Sequence, residues 1–333
     1  MKVAMLSGWH VHAKGYAREL AALPGVSINA VWDDDVARGT AWAKELNAPF
    51  YADLDELLAK ADIDSVANNS STNIHKEVLV KAAKAGKHIF TEKVMALTTA
   101  ECEEIAAAVK AAGVKFCISF PHRSMRHNLF AKQVAEEGLL GDITVMRVRN
   151  AHDGAAGDWL PMHFYDSETC GGGAMMDLGA HVMYLSRWIM GKPTRMTSIF
   201  NARTDKAKQF GIEDNAISMI EFESKGIAIA ETSFVSASSP YMLELYGTEG
   251  SLLIGGPNTT IQLTSKKLNA NAPVGGWVTP AKLPPALSDP ITMFVKGVDE
   301  GEPIAYGLEE GIQLTQLMEA AYQSHREGKT VDM

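Results

Sequence analysis

Over residues 2–119 short apolar runs alternate with longer amphipathic ones, and this alternation leaves few folds open. Residues 2–7, 26–32, 64–68, 87–91 and 115–119 read as strands. Residues 12–23, 36–47, 54–59, 74–85 and 98–112 read as helices. Pro24-Gly25, Gly86 and Gly113 stop three of these helices, and Thr98 or Thr99 caps the start of the last. Strands alternating with helices of this length build βαβ units and a doubly wound parallel sheet. Such sheets bind ligands beyond the carboxyl ends of their strands. The segments to inspect are therefore Ser7 to His12, Asp33, Asn69 to Asn73, Glu92-Lys93 and Pro121 to Arg123.

The chain has 333 residues, which suggests two domains, expected at 1–121 and 122–333. A net charge of −9 argues against nucleic acid and against an anionic membrane surface. No apolar run approaches the roughly 20 residues of a membrane span, and the apolar start is too short for a secretory signal. Three cysteines, with no Cys-x-x-Cys spacing, fit free thiols in a reducing cytoplasm.

The first strand-to-helix turn is Ser7-Gly8-Trp9-His10-Val11-His12-Ala13. A dinucleotide fingerprint would read G-x-G-x-x-G. Here only Gly8 is present, His10 takes the middle position, and Ala13 stands where the third small residue would be. The helix that follows still offers free amides to phosphate, so Ser7, Gly8, His10, Val11 and His12 are candidate cofactor contacts. Asp33 ends the second strand at the distance where an acid would accept the adenosine ribose hydroxyls. Asp34 beside it would repel a 2′-phosphate, so NAD is expected over NADP. The other reading of these aspartates is that they cap the next helix. Asn69, Ser70, Ser71, His75, Glu92 and Lys93 sit at later strand ends and extend the candidate cofactor site. Lys93 could favour a substrate alkoxide as a fixed positive charge, or be a solvated lysine.

In the second half, Gly171-Gly172-Gly173 runs into a predicted helix that carries Asp177 and His181 four residues apart. That spacing puts the two side chains on one helical face, where a carboxylate can orient an acid/base histidine. The glycines would let backbone pass close to a ligand. Leu178, Val182, Leu185 and Ile189 form the helix's apolar stripe. Segment 151–173 reads as a loop rich in aromatics and acids, in which Trp159 and His163 suit a sugar-binding wall or are incidental surface residues. His122 and Arg123 could reach nicotinamide or substrate, or Arg123 could pair with an acid. Asp177, His181, His163 and Asp166 were the conceivable metal set, but no dense ligand motif is present and no metal is expected.

The chain then predicts a helix at 128–137, a strand at 143–149 and six short strands between 196 and 264. Such a run makes a large antiparallel sheet with one covered face. Its free face would suit a homodimer or homotetramer. Residues 271–290 are irregular, helices at 290–298 and 308–326 close the second domain, and a short tail follows Gly328.

With these pieces placed, the chain resembles the Gfo/Idh/MocA oxidoreductases. The resemblance rests on the N-terminal Rossmann-like pattern, Ala85-Gly86-Lys87-His88-Ile89-Phe90-Thr91-Glu92-Lys93, the triple glycine before Asp177-x-x-x-His181, the turn Ser70-Ser71-Thr72-Asn73-Ile74-His75, and Tyr246-Gly247-Thr248-Glu249-Gly250-Ser251. It implies a Rossmann domain followed by an α/β domain with a large, mostly antiparallel open sheet. It implies hydride exchange between a nicotinamide and a sugar, cyclitol or related hydroxyl. Lys93 would hold the oxygen, His181 would take the hydroxyl proton, and Asp177 would support His181 and the substrate. Substrate contacts would come from Lys93, His122, Trp159, His163, Asp177 and His181. Val94 stands where the family has proline after the lysine, so a special X-Pro backbone is not expected, and Tyr184 stands where an aspartate often follows the histidine. Two further readings are a redox-neutral glycosidase that keeps NAD bound, and a sugar or nucleotide sensor without turnover.

Overall fold

The structure, a computed structural model, describes residues 1–268 and 276–333. The chain divides into two compact units, one of residues 1–121 and 288–315, the other of residues 122–287 and 316–333.

The first unit opens with β1 (Lys2–Leu6), α1 (Ala13–Ala22), β2 (Ser27–Trp32), α2 (Val36–Leu46), β3 (Phe50–Tyr51) and α3 (Leu54–Lys60). It continues with β4 (Ser65–Asn68), α4 (His75–Lys84), β5 (His88–Thr91), α5 (Thr99–Ala112) and β6 (Phe116–Ile118). Its six strands are all parallel, in the order β3-β2-β1-β4-β5-β6. The ends of β1, β2, β4 and β5 therefore share one edge, which is where such sheets bind ligands. β3 is short, and its two residues do not announce themselves in the sequence pattern. Thr98 caps α5 with a full capping box, its hydroxyl accepting the amide of Glu101.

The second unit has α6 (Pro121–Ser124), α7 (Arg126–Glu136), β7 (Ile143–Ala151), α8 (Ser167–Cys170), α9 (Ala180–Met190), β8 (Pro193–Asn201), α10 (Asp205–Phe210), β9 (Asn215–Phe222) and β10 (Ile227–Ser233). β11 (Met242–Gly247), β12 (Gly250–Gly255) and β13 (Thr260–Ser265) follow. α8 and a 3-10 turn at Met162–Tyr165 break up the segment expected to be loop. After the irregular stretch, part of which lies outside the described residues, come α11 (Pro290–Asp299), α12 (Leu308–Glu327) and β14 (Val331–Asp332).

The eight-stranded sheet runs β13-β12-β11-β7-β10-β9-β8-β14. Only the β7–β10 pair is parallel. α9 packs on β7 and β10 and covers one face. Two expectations change. The residues after Gly328 are no loose tail: Val331 pairs with Met196, and the Met333 amide donates to the Thr194 carbonyl at 2.9 Å. α11, read as closing the second domain, instead packs in the first unit, where Ile291, Phe294 and Val295 join the core of α1, β1 and β5. None of the three cysteines is in a disulfide and all are buried, Cys102 and Cys117 in the first unit and Cys170 in the second.

Candidate active site

In the first unit the strand ends bring Ser7 to His12, Asp33, Asn69 to Ser71 and Glu92-Lys93 to one edge. Ser7 leaves β1 with φ +62°, and its hydroxyl donates to Asp33 and Asp34. The Gly8 amide donates to Asp33 Oδ2 at 2.8 Å. A side chain at Gly8 would press on the Trp42 ring, so the position favours glycine for packing as well as for any ligand.

The three aspartates divide their roles. Asp35 is the N-cap of α2, accepting the amides of Ala37 and Arg38. Asp33 is buried and grips Arg38, with Nε at 3.1 and 3.0 Å from its two oxygens. Burial pushes the Asp33 carboxyl up, but Arg38 and the amides of Gly8 and Asp35 outweigh it and hold it below its ordinary value. Arg38 was not foreseen, although it lies on the first turn of a helix that begins beside the acids. Asn69 accepts the His10 amide with its backbone carbonyl at 3.1 Å. Its side-chain oxygen is buried and has no hydrogen-bond partner. An orphaned acceptor beside the first turn, an ionised acid at the end of β2 and the open start of α1 fit a dinucleotide at this edge. Val11 is exposed in the same turn.

His75 is placed differently. Its ring is buried, with Nδ1 2.9 Å from the Val94 carbonyl and Nε2 3.0 Å from that of Ser70. It braces two loops and has no ring nitrogen left over for a cofactor. Burial pushes its pKa down against the pull of these carbonyls.

Glu92 is a buried carboxylate. His12 Nδ1 lies 2.7 Å from its Oε1, the Tyr16 hydroxyl donates to the same oxygen, and the Lys93 amide donates to Oε2 at 2.8 Å. Burial pushes the Glu92 carboxyl up, yet His10, His12 and Lys93 hold it well below its ordinary value. Tyr16 also shares a 2.7 Å hydrogen bond with Ser119. Its spacing of four from His12 was a readable signal. Lys93 is buried rather than solvated, and the Lys93–Val94 peptide is cis, so the geometry that loss of the proline was expected to remove is present.

In the second unit the segment that carries Asp177 and His181 is not one regular helix. Met175–Gly179 is wound as a π-helix and α9 begins at Ala180. Asp177 and His181 therefore straddle a change of winding, and the simple one-face argument for a spacing of four does not apply. The cause is local. The Thr232 hydroxyl donates to the Ala174 carbonyl at 3.2 Å, and Glu213 Oε1 accepts the amides of Gly173 and Met175 at 2.9 Å each. The Tyr322 hydroxyl donates to the same carboxylate oxygen at 2.6 Å. This packing needs the glycines: a side chain on Gly172 would strike the Tyr322 ring, and one on Gly173 the Glu213 carbonyl. Neither Glu213 nor Tyr322 carries a local sequence signal.

His181 is buried, and its Nδ1 lies 2.9 Å from the Tyr184 hydroxyl. Tyr184 also accepts the His122 amide at 3.2 Å. The His122 ring stacks on His181 at 4.4 Å and 17°. Arg123 lies over the Trp188 ring, 4.9 Å from its centre. Trp159 is half-exposed and donates from its ring nitrogen to Asp153 at 3.1 Å. His152, in the same aromatic and acidic segment, sits between Trp159 and Phe234, where burial pushes its pKa down and Asp177 and Asp153 pull it back. His163 is half-buried, and its carbonyl accepts from Cys170. Asp166 caps α8 and is exposed, so the conceivable metal set of Asp177, His181, His163 and Asp166 does not assemble among the described residues.

A parallel six-stranded sheet with an acid at the end of its second strand, and a second unit with a buried, hydroxyl-bound histidine, define a two-domain nicotinamide-dependent oxidoreductase. The chain belongs to the Gfo/Idh/MocA family. Residues 6–120 match its "oxidoreductase family, NAD-binding Rossmann fold" profile, and residues 129–253 match its "GFO/IDH/MocA C-terminal domain" profile. Among curated relatives, scyllo-inositol 2-dehydrogenase (NAD(+)) of Bacillus subtilis (strain 168) is 29% identical over 74% of this chain and 70% of its own. Myo-inositol 2-dehydrogenase of Thermotoga maritima is 26% identical over 85% and 84%. A solved levoglucosan dehydrogenase in complex with NADH and levoglucosan has the same fold, with a TM-score of 0.85 at 20% identity over 100% of this chain and 99% of that one. Among the described residues no helix is long and apolar enough to cross a membrane.

Proposed function

We propose that this protein oxidises, or reduces in the reverse direction, a single hydroxyl carbon of a sugar, cyclitol or glycoside with NAD, in the cytoplasm. The observation that carries the reading is His181, buried, with Nδ1 2.9 Å from the Tyr184 hydroxyl and its ring stacked on His122, an imidazole held in one orientation as proton transfer requires. When bound, NAD supplies the hydride acceptor. His181 takes the hydroxyl proton, which requires Nδ1–H donating to the Tyr184 oxygen and a lone pair on Nε2. Lys93 stabilises the developing alkoxide. Asp177 orients His181 or the substrate, and Trp159, His163 and His122 contact sugar hydroxyls or ring faces. Ser7, Gly8, His10, Val11, His12, Asp33, Asn69, Ser70, Ser71 and Arg123 hold the cofactor. Asp33 and Asp34 select NAD over NADP through repulsion of the 2′-phosphate; Arg38 is neutralised by its ion pairs to both.

The test is incubation with NAD+ or NADP+ and a panel of sugars, cyclitols and glycosides, following NADH and products together. The expected result is stoichiometric NADH with a product two hydrogens lighter, faster with NAD+, and roughly 100-fold or more slower after His181→Ala. Aglycone release without net NADH would replace the reading with the redox-neutral glycosidase, and ligand binding without turnover would replace it with the sensor.

A further inference from the structure

Among the described residues one group of metal-ligating side chains converges: His10 and His12 from the turn after β1, which the function proposed above uses only as cofactor contacts, and Glu92 from the end of β5. One potential ligand atom from each lies within 4.8 Å of the others. We propose that these three side chains bind a divalent transition-metal ion, with zinc the best match.

The geometry is close to what such an ion needs. The two Nδ1 atoms face the same carboxylate oxygen, Glu92 Oε1, at 3.8 Å from His10 and 2.7 Å from His12. Zinc bonds of about 2.0–2.2 Å in a tetrahedron put ligand atoms about 3.4 Å apart, between these two values. His10 Nδ1 takes the His12 amide at 3.2 Å, which puts its ring proton on Nε2, so binding an ion at Nδ1 exchanges that hydrogen bond for a metal bond without a tautomer change. His12 needs only to shift its proton from Nδ1 to Nε2. Two imidazoles and a carboxylate are a borderline donor set that suits zinc and excludes magnesium and calcium, which want oxygen.

The surroundings are those of a metal site. The Tyr16 hydroxyl donates to the ligating carboxylate and is itself tied to Ser119, which fixes the carboxylate's orientation as an outer-shell partner does. The Lys93 amide holds the other oxygen. His10 and Glu92 are buried while His12 is 48% exposed at its side chain, so an ion has a way in and coordination positions remain for water. A buried carboxylate also requires a cation to offset its desolvation, and a metal meets that need more fully than two imidazoles. The ion would clamp the first turn to the end of β5 within one unit.

The experiment uses the full chain, stripped by a chelator and dialysed against zinc chloride, with metal content read by mass spectrometry and affinity by calorimetry. The expected result is one zinc per chain, with affinity reduced about 100-fold or more in His12→Ala and about tenfold in Tyr16→Phe. His12 is on the surface, so His12→Ala tests the site without disturbing the core, and circular dichroism verifies its fold. Cobalt substituted for zinc should give visible d–d absorption that His12→Ala abolishes. No retained zinc, or zinc retained equally by His12→Ala, overturns the proposal. None of these readouts needs turnover, so failure of the site and failure of the oxidoreductase reading are separate results.

Discussion

His181 has its Nδ1 committed to Tyr184, a residue the sequence marked only as a departure from the family's usual aspartate. That contact fixes the orientation of the imidazole, whichever of the two groups carries the shared proton. Tyr184→Phe should lower kcat by about tenfold, a fraction of the roughly 100-fold or more that an acid/base group supplies. A purely structural Tyr184 would lower the amount of folded enzyme and leave kcat per folded molecule where it was. At this scale the sequence is legible where a residue's meaning is local. Asp33 and His181 stand out from their position in a strand or helix, and Lys93 from the motif around it. Arg38, Glu213 and Tyr322 do not, because each acquires its role from a partner: the Tyr322 hydroxyl reaches Glu213 across 109 residues of chain.

The element that carries Asp177 shows how a readable motif can hold a packing role that the sequence does not announce. Three glycines before a helix suggest room for a ligand, and the structure fills that room with Glu213 and Tyr322. The π winding of Met175–Gly179 follows from the same contacts. Gly173→Ala should therefore cost about 3 kcal/mol of stability, since the added carbon meets backbone rather than a movable side-chain tip. Thermal unfolding measures that, and a variant as stable as the parent would mean that the segment has another way to wind. Most other elements were legible because hydrophobic period and glycine stops agree along the first unit. β14 was not, since two residues make a strand only when β8 is beside them. α11 could be seen as a helix, but its allegiance to the first unit depends on the core of α1, β1 and β5, which no local pattern encodes.

For the whole molecule, the eight-stranded sheet presents Ile199, Ile217 and Met219 on the face opposite α9, exposed at 66%, 44% and 47%. Ile199 pairs directly with Ile217, so these side chains form a contiguous apolar patch. We expect this face to join two copies of the chain. Ile199→Lys together with Met219→Lys should convert the oligomer to monomer in light scattering while leaving the core intact; a parent chain that is already monomeric would refute it. The three buried cysteines add a different kind of handle. A thiol reagent reacts with thiolate that it can reach, and burial both hides Cys117 and pushes its pKa up. The native chain should thus stay silent toward such a reagent and respond only when it opens. Because Cys170 lies in one unit and Cys102 and Cys117 in the other, the order in which the three are labelled becomes a clock for which half of the protein breathes first.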